Sequence, residues 1–213
     1  MNLTNYDIAV LIGLIIGDGT MGKTGAYGCI HSIKQYDYCV YKAKLMHSVT
    51  GGKDIKVHEG ITSYVYKRDG KSEKRTVQIC RFSKASKSFI PIREMIYPNG
   101  KKYISDELLN YVEPITLALW WLDDGNLDCH NGGSGNICYS LRWSLYVSLD
   151  EAERFVKYFK DKWDITWVIR SDSRSPDKYW VSCGKKEGNK FLDIIRPIVR
   201  KNVPSMSYKV RDI

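Results

Sequence analysis

The chain has 213 residues, enough for one large domain or for two domains of about 100 residues each. Its hydrophobic fraction of 43% is ordinary for a globular protein, and its longest apolar run, Ile8 to Ile16, is far shorter than the roughly 20 residues that span a bilayer. The sequence therefore predicts a soluble protein and excludes a membrane-spanning one. The net charge of +9 lies mainly in residues 1–100, which carry 15 basic and 8 acidic side chains. This excess suits a polyanionic partner, although many basic soluble proteins share it.

The first residues and the cysteines indicate a compartment. Met1 to Asp7 are polar or acidic, and no basic segment with a small-residue cleavage site precedes the apolar run, which argues against a secretory signal. The six cysteines show no Cys-x-x-Cys spacing, so we expect reduced core thiols rather than disulfides or a zinc site. We therefore expect an intracellular protein, in the cytoplasm or in an organelle matrix.

The first half is predicted to run helix, strands, helix, strands, helix. Ile8 to Ile16 is apolar on every side of a helix and contains Gly13, with Gly17 following four residues later, so it is typical of a buried helix that another helix can approach closely. The turn and cap signals then predict, in chain order, a strand at Tyr27–Lys34, a helix at Asp37–Thr50, a strand at Ile55–His58, a hairpin of Thr62–Lys67 and Lys74–Phe82 around Asp69-Gly70, and a helix at Ser86–Ile96.

The second half repeats this order. Pro114 begins a helix whose apolar body, Ile115–Asp124, is closed by Gly125. After a loop at Asn131–Asn136, the strict alternation of Ile137–Val147 predicts a half-exposed strand. The remaining elements are a helix from the capping box Ser148-Leu-Asp-Glu151 to Lys162, short strands at Thr166–Ser171 and Lys178–Cys183, and a last helix at Glu187–Ile195 that ends near Pro197.

One spacing supports an internal duplication. Lys102 follows Asp18 by 84 residues, and Lys209 follows Asp124 by 85 residues. Each lysine also follows a helix with a similar signature, Phe-Ile-Pro-Ile-Arg in one half and Phe-Leu-Asp-Ile-Ile-Arg in the other. We therefore expect an α+β protein with two related domains, 1–100 and 101–213, whose boundary lies within about 98–113.

The repeated acids have a chemical use. A carboxylate at the C-terminal end of a helix faces partial negative charge, which is unfavourable unless a cation binds there. If the two buried helices pack side by side, Asp18 and Asp124 converge with helix-end carbonyls such as that of Gly17, and this all-oxygen set suits Mg²⁺ or Ca²⁺. Such ions promote in-line displacement at phosphate, and the matched lysines, Lys102 and Lys209, would offset charge on the phosphate or help to activate water.

These residues also carry a family resemblance. The segments Leu11–Gly19 and Leu117–Gly125 read LIGLIIGDG and LALWWLDDG, and they resemble the two motifs of single-chain LAGLIDADG homing endonucleases. The resemblance extends to Lys101-Lys-Tyr-Ile104 leading through Glu113-Pro114, and to Arg196-Pro197 followed by Tyr208-Lys209, so it covers essentially the whole chain.

The resemblance implies a fold, an activity and a set of site residues. The fold would be two αββαββα halves in pseudo-twofold symmetry, with the motif helices at the interface and two antiparallel four-stranded sheets forming a saddle on DNA. Asp18 and Asp124 would be metal ligands, and Lys102 and Lys209 the basic residues, with Lys101 as the alternative if the register differs by one. Asp123 beside Asp124 leaves a choice of ligand, and we choose Asp124 because it, like Asp18, directly precedes glycine. Mg²⁺ would be the ion, with Mn²⁺ able to substitute and Ca²⁺ able to bind without supporting cleavage.

Three aromatic or bulky residues depart from the motif. Leu119, Trp120 and Trp121 replace small residues of the second copy, which questions close helix packing there. Because the two tryptophans lie in a buried helix, we expect them to pack in the core rather than to stack on bases. The four histidines share no metal spacing, and we assign them no role.

We expect the residues that contact DNA bases to lie on the strands, because a two-stranded ribbon can enter the major groove. The clearest polar face has Arg142 between Ser140 and Ser144, and weaker candidates are Lys74, Thr76, Gln78 and Arg170. Basic residues on loops or strand ends suit phosphate contacts, and these are Lys23, Lys34, Lys53, Lys56, Lys67 and Arg174.

The sequence thus predicts a site-specific endonuclease of the intron-homing kind. It would act as a monomer on double-stranded DNA, because one chain holds both halves of the site. The alternative is a binding module on the same scaffold, either a maturase that binds its cognate intron RNA or a DNA-binding protein that has lost cleavage. The acids and lysines present in both halves favour the enzyme.

Overall fold

The computed structural model describes residues 3–68, 71–131, 137–173 and 175–213, with only the backbone described for a few residues beside the gaps. Two four-stranded antiparallel sheets share one strand order, β1-β2-β4-β3 in the first half and β5-β6-β8-β7 in the second. The α+β class and the two related halves are therefore confirmed, while the domain boundary within 98–113 stays a prediction. None of the described helices is long and apolar enough to cross a membrane.

The elements of the first half follow the predicted order. They are α1 at Asn5–Ile16, β1 at Thr20–Met21, β2 at Ala26–Ser32, α2 at Tyr36–Thr50, β3 at His58–Arg68, β4 at Lys71–Ala85 and α3 at Ile90–Ile96. Thr4 begins α1 with a capping box to Asp7. The turn at Asp69-Gly70 lies outside the described residues.

The second half repeats this arrangement after a short connecting helix. Its elements are α4 at Asp106–Asn110, α5 at Pro114–Asp124, β5 at Gly125–Asn131, β6 at Ile137–Val147, α6 at Leu149–Trp163, β7 at Val168–Asp172, β8 at Ser175–Gly184 and α7 at Lys185–Asn202. The capping box of Ser148 and Glu151 begins α6 as predicted. The loop within 132–136 lies outside the described residues.

Helices α1 and α5 form the contact between the halves. Every residue of α1 from Ala9 to Ile16 is buried. Gly13 faces α5 so closely that a Cβ there would lie 3.0 Å from the Cα of Thr116, and the Thr116 hydroxyl donates a 2.8 Å hydrogen bond to the carbonyl of Ala9. Glycine at position 13 is therefore what allows the backbones to approach.

The two tryptophans of α5 do not obstruct this packing, because they point into the second half. Trp120 packs edge-on against Trp143 and Phe155, and Trp121 against Trp143 and Phe191. Their exposed fractions are 2% and 0%. The prediction that they serve the core is confirmed.

Four sequence expectations differ from the structure. The strand expected at Ile55–His58 is absent as such, because β3 begins only at His58. Three elements, β1, α4 and β5, were not predicted: β1 has only two residues, α4 is a single turn capped by Ser105, and β5 carries mostly polar residues. The last helix does not stop near Pro197 but continues to Asn202, since buried Ile195 and Val199 on either side of the proline anchor it to the core. A bulge between Trp143 and Val147 interrupts the alternation of β6.

Candidate active site at the ends of helices α1 and α5

The two motif acids lie together where α1 and α5 end. Asp18 follows Gly17 at the end of α1, and its side chain is 49% exposed. Asp124 is the last residue of α5 and is half-buried. The packing of the two helices, predicted from the paired motifs, thus brings both carboxylates to one end of the interface.

Burial and mutual repulsion raise the pKa of both acids. Desolvation, and then the charge of Asp123, raise the pKa of Asp18 above its usual 3.8. Desolvation, followed by the charges of Asp123 and Asp18, raises the pKa of Asp124 to about 7. Three carboxylates crowded at helix C-terminal ends are electrostatically unfavourable unless a cation joins them.

The donor set is suited to a hard divalent cation. Asp18 and Asp124 offer carboxylate oxygens, and the last turns of both helices offer carbonyl oxygens, which are the ligands that Mg²⁺ prefers. Ligand atoms of Asp18, His31 and Asp123 also lie within 4.8 Å of one another. The Asp123 carboxylate, however, is already occupied by protein donors, so Asp18 and Asp124 are the acids available to an ion.

Those donors form a buried cluster that sequence reasoning missed. The Lys42 ammonium lies 2.7 Å from both oxygens of Asp123, and neither side chain has exposed surface. Asp123 also accepts a 2.9 Å hydrogen bond from the Tyr38 hydroxyl and another of 2.9 Å from the backbone N–H of Asp18. Burial works to lower the pKa of Lys42, but the Asp123 carboxylate and other nearby groups outweigh it and raise that pKa.

The two candidate lysines reach the motif ends in matching ways. Lys102 donates to the carbonyl of Gly17, and Lys209 donates to the carbonyls of Leu122, at 2.6 Å, and Asp123, at 3.3 Å. Each lysine therefore contacts the motif of its own sequence repeat, at a carbonyl one or two residues before the acid. Lys101, the alternative, is exposed.

Carboxylates of both halves act on each of these lysines. Desolvation lowers the pKa of both, and the carboxylate that opposes this most is Asp124 for Lys102 but Asp123 and then Asp18 for Lys209. Lys102 also lines one cavity, of about 290 Å³, with Asp124. Lys102 therefore lies beside the acid of the other repeat, which the spacing of 84 and 85 residues does not indicate.

The first sheet turns one face toward Asp18. Arg81 pairs with Ile30 on one side and with His58 on the other, and all three line a cleft with Asp18. Alternation along β4 gives this face a second arginine, Arg75.

The predicted readers of β4 lie on the opposite face. Lys74, Thr76 and Gln78 share their face with Cys80 and Phe82, which are buried against the helices. Lys34 is exposed in the turn after β2, but the side chain of Lys67 and all of Arg174 lie outside the described residues. On the first sheet, register therefore favours Arg75 and Arg81 over the three residues chosen from sequence.

The second sheet matches its prediction more closely. Ser140, Arg142 and Ser144 lie on the face opposite buried Leu141 and Trp143. The Arg142 guanidinium lies 5.7 Å from the ring centre of Trp180, which pairs with Arg170. Arg142, Ser144 and Trp180 line a cleft with Tyr146, which also borders the cavity of Asp124. The polar face of β6 is thus continuous with the acid site.

All six cysteines are free, and Cys129 and Cys138 are exposed whereas the other four are buried. The four buried cysteines lie in the core as expected, whereas the exposed Cys129 and Cys138 do not.

Comparison with known proteins gives the same fold. The DNA-bound homing endonuclease I-WcaI superposes with a TM-score of 0.75 at 21% identity over 100% of this chain and 89% of that one. The homing endonuclease I-GzeII, in complex with its DNA target, superposes with a TM-score of 0.51 at 9% identity over 98% and 88%.

Sequence relatives cover this chain but are much longer. The protein RecA of Mycolicibacterium chitae is 23% identical over 98% of this chain, and that of Mycobacterium shimoidei is 24% identical over 98%. The chain spans about half of each, 47% of their length. The model of the LAGLIDADG DNA endonuclease family matches residues 8–191, most of the chain and both motifs. The chain therefore belongs to the LAGLIDADG DNA endonuclease family.

Proposed function

We propose that the chain is a homing endonuclease that hydrolyses one phosphodiester in each strand of a long, asymmetric DNA site, using a divalent cation. One observation carries this: two motif acids, Asp18 and Asp124, and two lysines, Lys102 and Lys209, meet at the end of the α1–α5 interface between two exposed sheet faces. A site duplicated in this way suits two scissile phosphates, one on each strand.

Asp18 and Asp124 would hold the divalent cations, one acid beside each scissile phosphate, with the carbonyls of the last helical turns beside them. Mg²⁺, when bound, supplies charge that stabilises the attacking and leaving oxygens of an in-line displacement, and Mn²⁺ can replace it. Asp123 cannot contribute while Lys42 and Tyr38 occupy its oxygens.

Lys102 and Lys209 would each contact a non-bridging oxygen of one scissile phosphate. Both are partly desolvated, which strengthens their attraction to an anion that enters the site. Their hydrogen bonds to helix-end carbonyls fix the ammonium groups before DNA arrives, so little reorganisation is needed.

DNA would lie across the exposed faces of the two sheets. On the first sheet Arg75 and Arg81, and on the second Ser140, Arg142, Ser144 and Arg170, would face the major groove. Because both halves belong to one chain, a monomer presents two different faces, which matches an asymmetric site. We infer that the chain acts inside a cell or organelle, where its target DNA is.

The test uses the sequence that flanks the gene. If the gene interrupts another gene, the uninterrupted form of that host sequence is the expected target, and the purified chain with Mg²⁺ should convert a plasmid carrying it to linear DNA. Asp18→Asn and Asp124→Asn should bind this DNA without cutting it, whereas Asp54→Asn, whose side chain is 96% exposed, should cut normally. Chelation of the metal should stop cleavage.

Two results would oppose the proposal. Normal cleavage by both Asp18→Asn and Asp124→Asn would refute the assignment of the acids. Tight binding of the cognate intron RNA without cleavage of any candidate DNA would identify a maturase instead.

A further inference from the structure

The two motif acids occupy equivalent positions but have different partners. The indole N–H of Trp120 donates a 3.1 Å hydrogen bond to Oδ2 of Asp124. Asp18 has no such neighbour on its own helix, because the residue four positions before it is Leu14. Instead, Nδ1 of His31 lies 3.7 Å from Oδ2 of Asp18.

The sheet register identifies the counterpart of His31. Thr20 and Asn126 each follow a motif acid by two residues, and they pair with Gly28 and Arg142. Counting three residues along the next strand leads from Gly28 to His31 and from Arg142 to Leu145. Leu145 lines the cavity of Asp124 but offers the carboxylate no polar atom.

His31 approaches Asp18 from the protein interior. It lies on the core face of β2, its side chain is 2% exposed, and its ring packs against the ring of Tyr38 at 5.1 Å. Tyr38 is itself fixed by hydrogen bonds to Asp123 and to the carbonyl of Leu119. The imidazole therefore has little freedom to turn away from the carboxylate.

The imidazole is also poorly satisfied elsewhere. Its Nε2 is buried and has no hydrogen-bond partner among the described residues. Because an N–H at Nε2 would have no acceptor, the tautomer with its proton on Nδ1 is favoured, and that N–H can donate to Asp18. The separation of 3.7 Å exceeds a hydrogen bond by about 0.5 Å, a gap of the size that closes when a catalytic site binds its substrate.

We propose that His31 is a positioning residue for Asp18: it holds Oδ2 from the inside so that the other oxygen faces the cation and the DNA. Ring nitrogens and indoles that orient ligating carboxylates commonly contribute to metal affinity and rate. The second half uses Trp120 for the same purpose. Cleavage of the two DNA strands therefore depends on different supporting side chains. This inference rests on the proposed endonuclease function.

The experiment follows each strand separately. A supercoiled plasmid with the target site, or a duplex labelled on one strand at a time, gives one rate constant for each strand. The variants are His31→Leu, which installs the residue type of the second half, His31→Gln, which keeps a hydrogen-bond donor, and Trp120→Phe, which keeps the ring packing. Melting temperatures are measured for all three.

His31→Leu should slow the cutting of one strand by roughly 10- to 100-fold, with nicked circles accumulating, and should change the other strand by less than about twofold. His31→Gln should restore most of the lost rate. Trp120→Phe should slow the opposite strand. A loss of folding would slow both strands alike, so strand selectivity separates positioning from stability.

A second measurement does not need cleavage. Titration calorimetry with Mn²⁺ should show weaker binding to His31→Leu than to wild type and to His31→Gln. Equal slowing of both strands by His31→Leu, or unchanged cleavage together with unchanged Mn²⁺ binding, overturns the proposal. If wild type cuts no DNA, the endonuclease function fails, and the calorimetric comparison alone decides the role of His31.

Discussion

The carboxylate of Asp123 and the ammonium of Lys42 form an ion pair of 2.7 Å that joins the second motif helix to a helix of the first half. Neither side chain has exposed surface. Because a buried charge without its partner is strongly unfavourable, this pair ties the two halves together at the active site.

Removing the Lys42 side chain should therefore make the protein much less stable. We expect Lys42→Met to lower the free energy of unfolding by about 3–5 kcal/mol, since it leaves the Asp123 charge buried and unpaired. Urea denaturation measures this change. The double variant Lys42→Met with Asp123→Asn should recover part of the loss, and Lys157→Met, which breaks an exposed pair with Asp161, should have no measurable effect. Equal stability of Lys42→Met and wild type would contradict the interpretation.

Gly17 leaves the space that Asp123 fills. A Cβ at position 17 would lie 2.5 Å from both Cβ and Oδ2 of Asp123, closer than real contacts allow. Gly17→Ala should displace the Asp123 carboxylate from the backbone N–H of Asp18, lower the melting temperature and abolish cleavage. Gly22→Ala is the control, because its nearest neighbour is the carbonyl of Ala26 at 3.7 Å. Normal cleavage by Gly17→Ala would show that Asp123 need not occupy this position.

The metal-free protein should lose stability as the pH rises. Folding raises the pKa of Asp124 from 3.8 to about 7, so between these values the folded state retains a proton that the unfolded state has released. The stabilisation is complete below about pH 4 and disappears as the pH approaches 7, and at most it amounts to about 4 kcal/mol.

Melting temperatures in EDTA between pH 4.5 and pH 8 test this expectation. Asp124→Asn should flatten the pH dependence and be more stable than wild type at pH 8, and Asp54→Asn should follow wild type. Adding Mg²⁺ at pH 8 should stabilise wild type more than Asp124→Asn. Parallel curves for wild type and Asp124→Asn would be the contrary result.

DNA binding should distinguish the two faces of β4. We expect Arg81→Ala to weaken binding to the target by about 1–3 kcal/mol, because Arg81 lies in the cleft with Asp18. Gln78→Ala, three residues earlier on the opposite face, should bind as wild type does. Fluorescence anisotropy in Ca²⁺ gives both affinities without cleavage. A loss of affinity in Gln78→Ala alone would mean that DNA contacts the other face.

Arg142→Ala should have the corresponding effect on the second half-site. Its guanidinium lies over Trp180 on the polar face of β6, so its loss should relax discrimination at the bases that this strand contacts. Binding to a panel of singly substituted targets would reveal such relaxation. A uniform loss of affinity across the panel would instead indicate a phosphate contact.

The sequence predicted those parts of the site that repeat. Asp18 and Asp124 stand in motifs with a recognisable order, and the packing of α1 on α5 follows from Gly13 and the apolar run around it. Even the fate of Trp120 followed from its place in a buried helix.

The features that sequence did not predict depend on contacts between distant residues. Lys42 resembles a surface lysine in a helix of mixed polarity, and its partner Asp123 lies 81 residues away on α5. His31 has no partner within a recognisable spacing, because Asp18 lies on another element. In β4 the distal residues are exposed on both faces, so alternation alone could not tell which face meets the active site. The apolar residues Cys80 and Phe82, which share the face of Gln78 and are buried, were the signal that this face packs on the core.

The residue before the motif acid is Gly17 in the first half and Asp123 in the second. This difference makes the two halves complementary rather than interchangeable. Two copies of the second half would bring two Asp123 carboxylates into one space, and two copies of the first would leave both Lys42 ammonium groups without the Asp123 counterion. A chimeric enzyme that takes the first half of this chain must therefore take the second half's aspartate as well, because Lys42 and Gly17 are complementary to it. The same complementarity would prevent either half alone from forming an equivalent symmetric homodimer.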